Sequence, residues 1–147
     1  IKSRIPNCGI GVDVISGFPG ESTSHFEETK NFLKNLPVTY LHTFTYSERA
    51  DTPAINFPDK VPINIRKQRT KELRILSDQK RIDFMKEQKG KILTVIPESK
   101  IENSNIWRGW TENYVRVHFE SSEDVFSKFV NVKIDSASGD YAFAELI

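Results

Sequence analysis

Three stretches of this 147-residue sequence combine residue types that can do chemistry. In the first, Gly17-Phe18-Pro19-Gly20-Glu21 follows a β-branched run and precedes a helix signal. Backbone amides at such a strand-to-helix turn approach an anion closely, with the helix N-terminus behind them. The plainer reading is that two glycines and a proline simply make the turn. Asp13 lies between Val12 and Val14, where a carboxylate needs a polar cavity or a partner such as Arg4 or a neighbouring helix. In the second stretch, residues 46–54, Arg49 can fork onto a carboxylate or phosphate and Tyr46 can stack on a base, or the loop can merely brace its neighbours. In the third, Trp107, Arg108, Trp110, Tyr114 and Arg116 mix aromatics with guanidinium groups, as small barrels do when they stack on unpaired bases. The competing reading places one or both tryptophans in a core.

No catalytic acid, base or nucleophile is evident. Ser16, Ser47 and Cys8 have no His partner in the pattern, and His25, His42 and His118 lack metal-ligand spacing. These histidines read as surface or packing residues. The single cysteine excludes an internal disulfide and a multi-thiolate metal centre built by this chain alone. No apolar run approaches the length of a membrane span, and the start lacks a secretory signal pattern, so a cytoplasmic, membrane-free protein is expected. The first residue is Ile1, which suggests a piece of a longer chain.

These residues must be held by elements that the pattern announces. Residues 10–16 read as a strand ended by Gly17 and Pro19. Ser22 to Ser24 offer N-caps for a helix of about three turns, and Val38 to Tyr46 returns to strand composition, which makes a βαβ unit with parallel pairing. Its two candidate loops then share the C-terminal end of the strands, where α/β folds place their sites. Residues 47–62, with three prolines, read as an ordered loop. Ile63 to Gln88 contains no Pro or Gly, and Ile65, Leu73, Leu76 and Phe84 share one face of a long helix; Ile75 and Ile82 lie opposite. After Gly90 the period becomes two: four strands are clear, Asn105 to Trp110 is a candidate fifth, and a small antiparallel barrel is expected. The expected domains are 1–62, a connecting helix over 63–88, and 89–147.

Net charge is +1, yet residues 60–91 carry 11 basic against 4 acidic side chains. That block, with Lys67, Arg69, Lys71, Arg74, Lys80 and Arg81, is either a solvated helix face or a footprint for a polyanion. Residues 92–147 carry four more acids than bases, which argues against strong phosphate binding by the barrel alone.

Taken in order, Val12-Asp13-Val14-Ile15-Ser16-Gly17-Phe18-Pro19-Gly20-Glu21, His25-Phe26-Glu27-Glu28-Thr29, and Tyr46-Ser47-Glu48-Arg49 with Thr52-Pro53-Ala54 resemble the last third of the catalytic domain of radical-SAM methylthiotransferases. The tail, with Gly109-Trp110-Thr111-Glu112-Asn113-Tyr114-Val115-Arg116-Val117, is similar to the TRAM barrel appended to those enzymes, in the branch acting on threonylcarbamoyladenosine beside the anticodon. Trp110 stands where Tyr is more usual, and Asp51 where Gly is common. The resemblance implies the end of a partial (βα) barrel followed by an OB-like barrel. It implies that the whole enzyme uses S-adenosylmethionine and iron-sulfur clusters, with none bound by this piece alone, because the three-cysteine motif is absent. It assigns Asp13, Gly17, Pro19, Gly20 and Glu21 to the S-adenosylmethionine end, and Tyr46, Ser47, Arg49 and Thr52 to the target pocket. Lys67, Arg69, Lys71, Trp107, Arg108, Trp110, Tyr114 and Arg116 are the expected contacts to a tRNA anticodon stem-loop. An excised partial barrel leaves strand edges and one sheet face open, so self-association is expected. The alternatives are a stand-alone RNA-binding or ribosome-associated module, and a methylthiotransferase acting on a ribosomal protein.

Overall fold

In the computed structural model, which describes all 147 residues, the first β-branched run forms strand β1 (Gly11–Ser16). Ser22 caps the following helix α1 (Thr23–Asn35): its hydroxyl accepts from the His25 N–H at 3.1 Å, and the His25 ring accepts back from the Ser22 N–H. The crossover lets strand β2 (Tyr40–Thr45) pair with β1 in parallel, with Val12 beside Leu41, Asp13 beside His42 and Ile15 beside Phe44. Val12, Val14 and Leu41 pack under Phe26 and Leu33 of α1 and Leu73 of the long helix α2 (Ile63–Lys86). The opposite face of the pair is open, leaving Ile15 59% and Phe44 52% exposed. Two parallel strands are what the structure contains of the expected partial barrel. No helix is long and apolar enough to cross a membrane.

The buried side of α2 differs from its apolar stripe. Leu73 and Phe84 are buried as the periodicity requires, but Arg66, Arg69, Thr70 and Ser77 are buried with them. Ser77 explains part of this, because its hydroxyl both accepts from the Leu41 N–H and donates to the Leu41 carbonyl, satisfying an edge position of β2. Ile75 remains exposed, whereas Ile82 packs against the core of the barrel.

Five strands, β3 (Ile92–Lys100), β4 (Ile106–Thr111), β5 (Arg116–Glu120), β6 (Val130–Ser138) and β7 (Tyr141–Leu146), close into a barrel of order β3-β4-β5-β7-β6. The expectation of an all-antiparallel barrel is corrected: β5 and β7 run parallel. A closed ring with an odd number of strands cannot alternate direction at every step, so at least one neighbouring pair must be parallel. Leu93, Val95, Trp107, Val117, Phe119, Val132 and Ile134 fill the interior, and Phe84 and Met85 of α2 belong to the same core. Gly109 sits opposite Pro97 where the register shifts. A Cβ there would collide with the Ile96 carbonyl and lie 2.7 Å from Val95 Cγ1, so β4 can approach β3 only with glycine at this position.

By its internal contacts the chain divides into Ile10–Lys80 and a second unit of Ile1–Gly9 with Arg81–Ile147. This division falls between Lys80 and Arg81, because the end of α2 joins the barrel core. The first nine residues belong with the barrel through Asn7, whose carbonyl accepts from Asn113 Nδ2 at 3.0 Å and whose side chain accepts from Lys91 Nζ at 2.8 Å.

Candidate nucleic-acid interface and loop cluster

At the C-terminal ends of β1 and β2 the two candidate loops do meet. The Tyr46 N–H donates to the Ser16 carbonyl at 2.9 Å, and the rings of Phe18 and Tyr46 pack edge to face at 5.1 Å. Two arginines one helical turn apart on α2 tie them down. Arg69 Nη1 donates to the Glu21 carboxylate at 2.6 Å and to the Glu21 carbonyl at 2.9 Å. Arg66 forks onto Glu48 at 2.7 and 3.0 Å, donates through Nε to the Val61 carbonyl at 2.6 Å, and reaches the Tyr46 carbonyl at 3.3 Å. Between them the Thr70 hydroxyl lies 2.8 Å from both Ser16 Oγ and Thr45 Oγ1.

This arrangement changes several expectations. The Gly17 amide is already satisfied by the chain's own anion, since it donates to the Glu21 carboxylate at 2.7 Å. Gly17 has φ +84°, and a Cβ on it would collide with the Arg66 side chain, so glycine is needed here for backbone shape and close approach. Pro19 is buried, while Gly20, also at positive φ, donates its N–H to the Asp59 carbonyl. Asp13 needs no partner because it lies on the exposed face of β1. Tyr46 is not free to stack on a base: its ring is buried between Phe18 and the Arg66 guanidinium, and its hydroxyl has no hydrogen-bond partner. Ser47, Arg49 and Thr52 are exposed, and Arg49 uses its carbonyl to close the turn to Thr52. The carboxylate fork expected of Arg49 is made by Arg66, which the charge count hid inside the basic block. Arg69, at 6% exposure, is withdrawn from the solvent face that Lys67 and Lys71 occupy. Lys80 is also engaged, donating to the Lys34 and Leu36 carbonyls at the end of α1.

The hydrogen bonds from Arg66, with a smaller contribution from its own backbone, push the Glu48 carboxyl down from its ordinary 4.5 to about 2. A carboxyl lowered in the folded state stabilises it above the unfolded value and loses that contribution as pH falls through the folded value. The Ile10–Lys80 unit should therefore melt at progressively lower temperature on acidification from about pH 4.5 toward about pH 2. Glu48→Gln should make that dependence shallower in thermal melts across this range. Identical pH profiles for the two proteins would refute the assignment.

On the barrel, strand alternation separates the two tryptophans. Trp107 is 5% exposed and belongs to the core, so it is removed from the expected RNA contacts, whereas Trp110 is 42% exposed on the outer face. Three positions apart on one strand, they point to opposite sides. Trp110 is the register partner of Arg116, and Arg108 is the partner of His118. On β7, Tyr141 stacks on His118 with ring centroids 3.8 Å apart, and Phe143 pairs with His118 in register. The outer face of β4, β5 and β7 thus gathers Arg108, Trp110, Arg116, His118, Tyr141 and Phe143. The last two and His118 escaped the sequence reading, although period two places them on the same side as Arg108. Tyr114 is exposed at positive φ in the turn joining β4 and β5. The Thr111 and Asn113 side chains brace that turn: Thr111 Oγ1 donates to Asn113 Oδ1 at 2.6 Å and accepts from the Val115 N–H at 2.8 Å.

The donor set does not fit an iron-sulfur cluster, because Cys8 is the only thiol and no three His, Cys, Asp or Glu side chains converge. No protein-family model matches the chain. Among curated proteins it is 38% identical over 144 residues to the threonylcarbamoyladenosine tRNA methylthiotransferase MtaB of Bacillus subtilis, covering 96% of this chain and 32% of that protein. It is 40% identical over 136 residues to the MtaB of Aquifex aeolicus, covering 91% of this chain and 31% of that protein. To the tRNA-2-methylthio-N(6)-dimethylallyladenosine synthase of Bacillus subtilis it is 36% identical over 138 residues, covering 93% of this chain and 27% of that protein. It spans 27–32% of the length of these curated relatives. Its homologues along 91–96% of its length are methylthiotransferases of the radical-SAM family.

Proposed function

We propose that this chain is the C-terminal part of a cytoplasmic tRNA methylthiotransferase of the threonylcarbamoyladenosine branch, and that its barrel grips the tRNA anticodon stem-loop. The observation that carries this reading is the outer face of β4, β5 and β7, where exposed Trp110 stands beside Arg116 and next to Arg108. Aromatic faces stack on unpaired bases without regard to sequence, and guanidinium groups hold the backbone. OB-like barrels bind oligonucleotides on the corresponding pair of strands. In this reading Lys67 and Lys71 add exposed positive charge, Tyr114 lies at the rim of the face, and Arg69 and Trp107 act structurally.

The Ile10–Lys80 unit contributes shape to the chemistry of the whole enzyme. S-adenosylmethionine, with an iron-sulfur cluster held elsewhere, would supply the methyl group and the radical. Asp13 on the open sheet face and the Gly17–Glu21 turn wall the S-adenosylmethionine end, while Ser47, Arg49 and Thr52 face the target nucleoside. Arg66 and Arg69 position the two loops.

Titrating the chain with an anticodon stem-loop at several salt concentrations tests the reading. Affinity should fall steeply with salt as basic side chains displace counterions. Replacing Lys67 and Lys71 together by Ala should flatten the log-log slope by up to about 1.8, at about 0.9 per phosphate contact. An unchanged slope would assign those lysines to ordinary solvation. The open face bearing Ile15 and Phe44 also leads us to expect a dimer at high micromolar concentration in sedimentation, abolished by Phe44→Lys; a strictly monomeric chain would contradict it.

A further inference from the structure

Arg108 on β4 and His118 on β5 are register partners, and each carries a buried nitrogen without a hydrogen-bond partner, Nε of Arg108 and Nε2 of His118. A guanidinium Nε only donates, and a neutral imidazole protonated at Nε2 donates there too. Buried donors are nearly always paired, because an unpaired one keeps its desolvation cost. With the imidazole protonated at Nε2, the two donors on adjacent strands share one missing acceptor. The stacked Tyr141 ring holds the imidazole plane, with Phe143 as the register partner on the other side of His118. The charged or titratable groups on this face are Arg108 on β4, Arg116 and Glu120 on β5, and Tyr141 and Glu145 on β7. The carboxylates lie toward the C-terminal ends of β5 and β7, and the charges that act on His118 are those of Arg116 and Arg108.

We propose that Arg108 and His118 together form a subsite for one phosphate of the RNA backbone. The proposal rests on the RNA-binding reading and deepens it: Trp110 and Arg116 hold a base and its flank, and the adjacent pair holds the phosphate. Burial first, then the charges of Arg116 and Arg108, keep His118 below its ordinary value, so the free protein carries it neutral at pH 7. A phosphate placed between the two side chains reverses that field. The imidazole then takes one proton from solvent as RNA binds, and both ring nitrogens become donors. Binding should therefore be proton-linked through a side chain that no charge count at neutral pH includes.

Anisotropy titrations of the 147-residue chain with an anticodon stem-loop, at fixed salt between about pH 5.5 and about pH 7.5, test this. The wild-type affinity should strengthen toward low pH by up to about tenfold per unit within the window between the free and bound values of His118. His118→Gln, which keeps a hydrogen-bonding side chain but does not titrate, should give a flat profile, and Arg108→Gln should weaken binding at every pH. Proton NMR of the wild-type imidazole should show its midpoint moving up when RNA is added, which decides the matter even if a variant folds poorly. An unmoved midpoint, or the same pH dependence in wild type and His118→Gln, overturns the subsite while leaving the RNA reading standing. An absence of stem-loop binding at any pH and low salt overturns both.

Discussion

Trp107→Ala should destabilise the barrel unit by about 3–5 kcal/mol, the range for emptying a buried tryptophan site, and should leave the intrinsic affinity of the folded fraction for a stem-loop unchanged. Trp107 lies among Val95, Val117, Phe119 and Ile134 in the interior, so its removal opens a void in a closed sheet that cannot collapse freely. Trp110→Ala should do the reverse. Its loss should weaken stem-loop binding by roughly 1–3 kcal/mol, the range for one base stacked on an aromatic ring, with little change in the melt. Denaturant titration followed by tryptophan fluorescence reports this directly, because both tryptophans lie in the barrel unit and either variant keeps one. Equal stability loss in the two variants would show that strand alternation does not separate their roles.

Arg66→Met should destabilise the Ile10–Lys80 unit by about 2–4 kcal/mol. The substitution leaves the Val61 and Tyr46 carbonyls without their donor, at about 1–3 kcal/mol for each buried group left unpaired. Gly17 packs directly on the Arg66 side chain, so the Gly17–Glu21 turn should loosen as well. Amide hydrogen exchange should show lost protection in β1, β2 and the Gly17–Glu21 turn while the barrel is unaffected. A loss under about 1 kcal/mol, or lost protection confined to Glu48 and its neighbours, would mean that Arg66 does not hold the two loops together.

The order of elements was legible because Gly17, Pro19, Pro37 and Gly90 punctuate it and because the tail alternates cleanly. Adjacency of the two loops also followed from sequence, since a parallel crossover brings the C-terminal ends of both strands together. What stayed hidden was the polar interior of α2. A periodicity argument places charged residues outside, yet Arg66 and Arg69 are inside because each finds a carboxylate and carbonyl acceptors on the loops. Those partners lie 18 and 48 residues away, and no local pattern pairs them. The opposite placement of Trp107 and Trp110 was recoverable, for an odd separation along one strand puts them on opposite faces. His118 reads from the sequence as a surface or packing residue because its spacing suits no metal; its neighbours Arg108, Tyr141 and Phe143 lie on other strands, which only the closed sheet assembles.

Chemical-shift mapping of the 147-residue chain with an anticodon stem-loop tests the proposed RNA grip most directly. The largest amide and side-chain changes should cluster at Arg108, Trp110, Arg116 and His118 on β4 and β5 and at Tyr141 and Phe143 on β7, with Trp107 little affected. Changes centred instead on the opposite wall of the barrel, around β3 and β6, or no saturable changes at low salt, would contradict it.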